Sequence, residues 1–179
     1  PVAPGMAGEA VRAAIGGWQW PEWTEAGLRR AYRVVSGRAG QDDIAVAVLS
    51  SATAEDLPDS SCAGQQETYL NVRGEDDLLI ACRKCYASLF TDRAISYRDA
   101  KGFDHMQVAL SVGVQQMVRS DIGGSVVMFS IDTETGFDKV VLIDAAWGLG
   151  ENVVQGTVTP AEYQVYKSFL DRDGVRPIT

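Results

Sequence analysis

The sequence predicts an α+β fold in which helices come first and a largely antiparallel sheet follows. Three observations carry this: helical spacing of apolar residues dominates up to about Lys101, strand-like alternation takes over from Val108, and the later strands are joined by tight turns. Parallel strands would need long crossover connections between them. The first helix runs from about Ala7 to Ile15. Pro21, followed by Glu22 and Glu25, marks the start of a second helix, which reaches Ser36 before Gly37 and Gly40 end it. Trp18, Trp20 and Trp23 cluster at that start, and large aromatics so placed are expected to anchor the helix on the core rather than form a stacking platform. Ile44 to Leu49 reads as a buried strand, Ser50 to Gln66 as an irregular loop, and Glu67 to Val72 as a strand. Gly74 to Phe90 and Arg93 to Lys101 read as helices. Strands follow at Val108 to Arg119, Ser125 to Ile131, Lys139 to Ala145 and Tyr163 to Phe169, with turns at Asp121 to Gly124 and Glu134 to Phe137.

The chain has 179 residues, 46% of them hydrophobic, which suits one domain with an ordinary core. Its net charge of −8 argues against a nucleic-acid partner. No stretch approaches the roughly 20 apolar residues that span a bilayer, and no signal-peptide plan opens the chain. A cytoplasmic location without membrane attachment is therefore expected. Three cysteines give no disulfide framework. Cys82 and Cys85 form a C-x-x-C, but Leu78, Leu79, Cys82, Cys85, Tyr86 and Leu89 repeat at helical spacing, so core packing is expected of both. His105 reads as an ordinary loop histidine. The absence of an initiator Met and the resumption of a strand pattern at Arg176 to Thr179 read as cut ends.

The run from Ala45 to Val72 passes from a strand into small, hydroxyl-bearing and amide residues, a composition suited to an anionic ligand. Its Cys62-Ala-Gly-Gln-Gln-Glu-Thr68 segment is followed by Ser88 to Tyr97, Val114 to Asp121, Met128 to Gly136 and Trp147 to Gly156, and from Ala45 to Gly156 these segments extend over about two thirds of the chain. In that order these segments resemble the phosphoenolpyruvate synthase family, which includes pyruvate phosphate dikinase and rifampin phosphotransferase. The resemblance implies a partial ATP-grasp nucleotide-binding domain over residues 1–179, with 1–43 a helical lead-in and 44–179 the nucleotide-binding core. Such a domain holds ATP and Mg2+ between two small sheets. The likeness assigns the adenine to Gln116, Met117 and Val118, and the phosphates to a loop containing Gly64, Gln65 and Thr68. Ser130 would line the phosphate channel, and Glu151 would either bond the ribose or cap the turn that follows it. Asp132 and Glu134 fall in a hairpin turn, where a solvated role is expected rather than metal binding.

At one position the chain departs from its family. The family pattern A-V-R-S-S-A-T ends its first strand with an arginine that contacts phosphate, and here Leu49 stands in that place. No catalytic residue is therefore assigned to this chain, and the isolated polypeptide is expected to be inactive. Metal ligands, a phosphohistidine domain and an acceptor domain are implied outside it, as partners within a parent enzyme that makes phosphoenolpyruvate from ATP, pyruvate and water. The alternatives are a degenerate, non-catalytic module or an antibiotic phosphotransferase of the same family. Self-association is expected of the apolar surface that a partial domain exposes.

Overall fold

The computed structural model describes residues 4–52, 56–57, 60–61, 67–176 and 178. Helices α1 (Pro4–Gly17) and α2 (Glu22–Arg38) lead into strand β1 (Val46–Ala52), which is followed by the two-residue strands β2 (Asp56–Leu57) and β3 (Ser60–Ser61) and by β4 (Tyr69–Val72). Helices α3 (Glu75–Ser88) and α4 (Asp92–Lys101) precede β5 (Leu110–Gln116). Strands β6 (Gly124–Phe129) and β7 (Val140–Trp147), the short helix α5 (Gly150–Val154) and β8 (Ala161–Tyr166) complete the order. The α+β prediction therefore holds. Contacts divide the chain into two units, Pro1–Met117 and Val118–Thr179.

In the first unit an antiparallel sheet of order β4-β1-β5 packs against α3. Val46 and Val48 of β1 are fully buried, as are Leu78, Cys82 and Cys85 of α3, and Tyr32 and Ile44 complete this core. The first turn of α3 carries Glu75, Asp76 and Asp77, which complement the positive end of the helix dipole. Arg29 of α2 pairs with Glu25, Glu75 and Asp76, and so fastens α2 to the start of α3. Gly8 marks a close approach: a Cβ there would lie 2.7 Å from both the carbonyl oxygen of Phe90 and the side chain of Ile95. Beside it Arg12 donates to the same Phe90 carbonyl.

Tyr32 is the polar pin of this core. Its hydroxyl donates to the Ile44 carbonyl at 2.8 Å and accepts from the Gly74 N–H at 2.8 Å, joining α2, the approach to β1 and the start of α3. Tyr32→Phe leaves a buried carbonyl and a partly buried N–H unpaired, and is expected to lower stability by about 1–3 kcal/mol in urea unfolding. An unchanged midpoint would mean that water replaces the hydroxyl at no cost.

Several boundaries differ from those predicted. Helix α2 runs through Gly37 and is ended by Gly40, at φ 68°, after which the Gln41 N–H bonds back to the Ser36 carbonyl. Gly37 keeps helical geometry because nothing forces a reversal there. Of the three tryptophans, Trp20 packs on the core and meets the Trp18 ring at a centroid distance of 5.1 Å and a tilt of 49°. Trp23 is instead 80% exposed. It lies nine positions before the buried Tyr32, about two and a half helical turns, and so on the opposite side of α2. Strand β1 continues to Ala52, β5 is shorter than predicted, and the last strand stops at Tyr166 in a 3-10 turn over Lys167–Phe169. The predicted turn at Asp121 to Gly124 is a 3-10 turn over Ser120–Ile122 leading directly into β6.

In the second unit the strands pair antiparallel in chain order, β6-β7-β8. Register puts Val126, Met128, Ile143, Ala145, Tyr163 and Val165 on one face, which carries no charged side chain, although Val126 and Met128 are 59% and 61% exposed. The other face holds Asp144 and Glu162 together with the buried Val140 and Leu142. Among the described residues no helix is long and apolar enough to cross a membrane.

Candidate functional site

In the first unit Leu49, Gln116 and Met117 lie on or directly beside the β1–β5 pair. Register sets Leu49 opposite Gly113, with Ala47 opposite Gln115 and Ser51 opposite Ser111. These six share the sheet face that points away from Val46 and Val48, by the two-residue alternation of a strand. Leu49 is half-buried, and the missing Cβ of Gly113 leaves the space across from it open. Gln116 pairs with Val46 and lies on the opposite face from Leu49, with its side chain exposed. The ladder continues one step further, since the Met117 N–H donates to the Ala45 carbonyl at 2.9 Å. Met117 is half-buried and closes the first unit; Val118 opens the second and is 76% exposed.

Gly64 and Gln65 lie outside the described residues. Thr68, just before β4, is exposed. The neighbouring Glu67 is tied down: its carbonyl accepts from the Ser50 hydroxyl at 3.4 Å, and its carboxylate accepts from the Tyr69 hydroxyl. Burial, then that carboxylate, push the Tyr69 phenol above its ordinary value, so it stays a neutral donor. Burial likewise raises the Cys82 thiol to about 11 and the Cys85 thiol to about 12. Neither forms a thiolate near neutral pH, and both pack in the core as their spacing predicted.

In the second unit Ser130 sits just beyond β6, exposed, with its carbonyl accepting from the Lys167 ammonium. Glu151 lies in the first turn of α5, and its carboxylate accepts from the Gln155 amide at 2.7 Å. Asp132 accepts from the Glu134 N–H at 3.0 Å and from the Thr135 hydroxyl at 2.6 Å, which holds its carboxyl below the usual range and builds the hairpin turn. Among the described residues no group of three or more His, Cys, Asp or Glu side chains could hold a metal ion. Asp132 is occupied by its own turn, so the described residues do not fit a magnesium site. His105 accepts from the Arg98 guanidinium at 2.9 Å and lies 3.0 Å from Asp99, a structural tie for the segment after α4.

The sequence pattern of the family described as pyruvate phosphate dikinase, AMP/ATP-binding domain, matches residues 5–175. The chain belongs to that family. Within the pyruvate phosphate dikinase family it is 55% identical over 168 residues to a phosphoenolpyruvate synthase of Helicobacter pylori, covering 94% of this chain and 21% of that protein. Synthases of the same name from Synechocystis and Escherichia coli are 57% identical over 175 residues and 56% over 164, covering 96% and 92% of this chain. The chain thus spans about a fifth of the length of the curated relatives it matches. The resemblance read from the motifs is therefore correct at the level of the family. Sequence reasoning gave no role to Lys167, because a lone lysine after an alternating strand carries no signal of what its side chain reaches.

Proposed function

We propose that the chain is the nucleotide-binding part of a phosphoenolpyruvate synthase-like enzyme with an ATP-grasp-like fold. The observation that carries this reading is the family match across nearly the whole chain, joined to identities above 50% with relatives of that name. In this reading the backbone at Gln116 to Val118 reads the adenine edge, while Met117 and Val118 supply apolar contact. Gly64, Gln65, Thr68 and Ser130 take the phosphate oxygens and Glu151 the ribose. The parent enzyme splits ATP with water, passes a phosphoryl group to a histidine on another domain, and transfers it to pyruvate, giving phosphoenolpyruvate, AMP and phosphate. Magnesium ligands, the histidine and the acceptor site are assigned to the parent polypeptide beyond this chain.

Titration of the chain with ATP and magnesium, followed by calorimetry and amide hydrogen exchange, tests this. Saturable heat and slower exchange at residues 114–118 are the expected result. Neither effect, in a chain whose circular dichroism shows it folded, would sink the nucleotide-binding reading.

A further inference from the structure

The connection between β6 and β7 is fixed at two places. Its tip is held by Asp132, through the Glu134 N–H and the Thr135 hydroxyl, with Gly136 at φ 75° closing the turn. Its neck is held from the far side of the sheet. Lys167 directly follows β8, and its N–H donates to the Lys139 carbonyl at 2.9 Å. Its ammonium donates to the carbonyl of Ser130 and, at 2.6 Å, to that of Asp138. Since β7 lies between β6 and β8, this side chain passes the end of the middle strand and bridges both sides of the neck. Continuing the strand alternation one step puts Ser130 and Lys167 at the end of the face that carries Met128 and Val165.

The charge of Lys167 is also left standing. The neighbouring Lys139 pairs with the Asp138 carboxylate at 3.3 Å, whereas among the described residues no carboxylate pairs with Lys167, which meets only carbonyl dipoles. In a protein of net charge −8 such a cation is an attractive point for a phosphate oxygen.

We propose that Lys167 is a positioning residue for the phosphate tail of the nucleotide: it fixes the backbone at Ser130 and holds a positive charge beside it. This rests on the assignment of Ser130 made above. The test compares the chain with Lys167→Met and Lys167→Arg, each with Leu49 and with Leu49→Arg, using amide exchange at residues 130–138 and titration with Mg-ATP and with adenosine. Lys167→Met should open the neck, so that exchange there speeds up, and should weaken ATP about 10-fold while leaving adenosine unchanged. Lys167→Arg, which keeps length and charge, should restore both. Unchanged exchange at the neck in Lys167→Met would overturn the clamp. Faster exchange with an unchanged ratio of ATP to adenosine affinity would leave a purely structural lysine and overturn its role toward phosphate. Failure of every variant to bind ATP would instead remove the nucleotide-binding reading, and the positioning role with it, while exchange still decides the clamp.

Discussion

Leu78→Ala is expected to destabilise the first unit by about 2–5 kcal/mol, more than any other change considered for this protein. Leu78 is 2% exposed and sits on α3 among Cys82, Cys85, Val46 and Val48. Truncation removes its buried methyl groups and leaves a cavity that the β-branched valines across the interface cannot fill, because their side chains hold few rotamers. Urea unfolding measured beside Ile80→Ala on the same helix gives the comparison. Ile80 is 42% exposed, so its loss should cost well under half as much. Equal losses would mean that α3 is held by its own propensity and not by the sheet beneath it.

Leu49→Arg should tighten Mg-ATP by about 1.5–3 kcal/mol, roughly 10- to 150-fold, the range for a hydrogen bond to a charged group. Adenosine should bind as before. Two features of the strand pair make room for the guanidinium: Leu49 is only half-buried, and Gly113 opposite it presents no side chain. The neighbours on that face, Ser51, Ser111 and Gln115, are polar but uncharged, so an arginine there meets no like charge on β1 or β5. Calorimetry on the two proteins decides the matter. Identical ATP affinities would show that residue 49 does not face the phosphates, and would remove the main reason for regarding this chain as impaired.

The parts of the fold legible in the sequence are those where one local rule acts alone. The C-x-x-C motif followed helical spacing, and both thiols are in the core. Strand β1 was visible as an apolar run, and the tight turn holding Asp132 and Gly136 as a cluster of turn formers. The errors arose where two signals competed. Gly37 and Gly40 both qualify as helix ends, and only the bond from Gln41 back to Ser36 selects the second. Trp23 is as hydrophobic as Trp20, yet helical phase turns it to solvent. Helix α5 was missed because Gly148 and Gly150 mask a five-residue helix. For the candidate site, motifs supplied the residues but not the faces. That Leu49 shares its side of the sheet with Gln115 and not with Gln116 follows from register, which no single segment contains. The reach of Lys167 to Ser130 is likewise a property of three strands together.

The two sheets also differ in how far apart in the chain their partners lie, and this bears on the order in which the protein assembles. In β6-β7-β8 each strand pairs with the next, so Phe129 meets Leu142 and Ala145 meets Ala161 across single connections, far shorter than the stretch between β1 and β5. Loop-closure entropy there is small. The other sheet puts β1 at its centre, where Val46 must wait for Gln116, with α3 and α4 made in between. Local contacts form quickly and distant ones slowly. A chain emerging from the ribosome therefore presents β1 with one side unpaired for the whole time that α3 and α4 are being made, and α3, with Leu78 and the two cysteines, is the surface on which that strand is kept until β5 arrives.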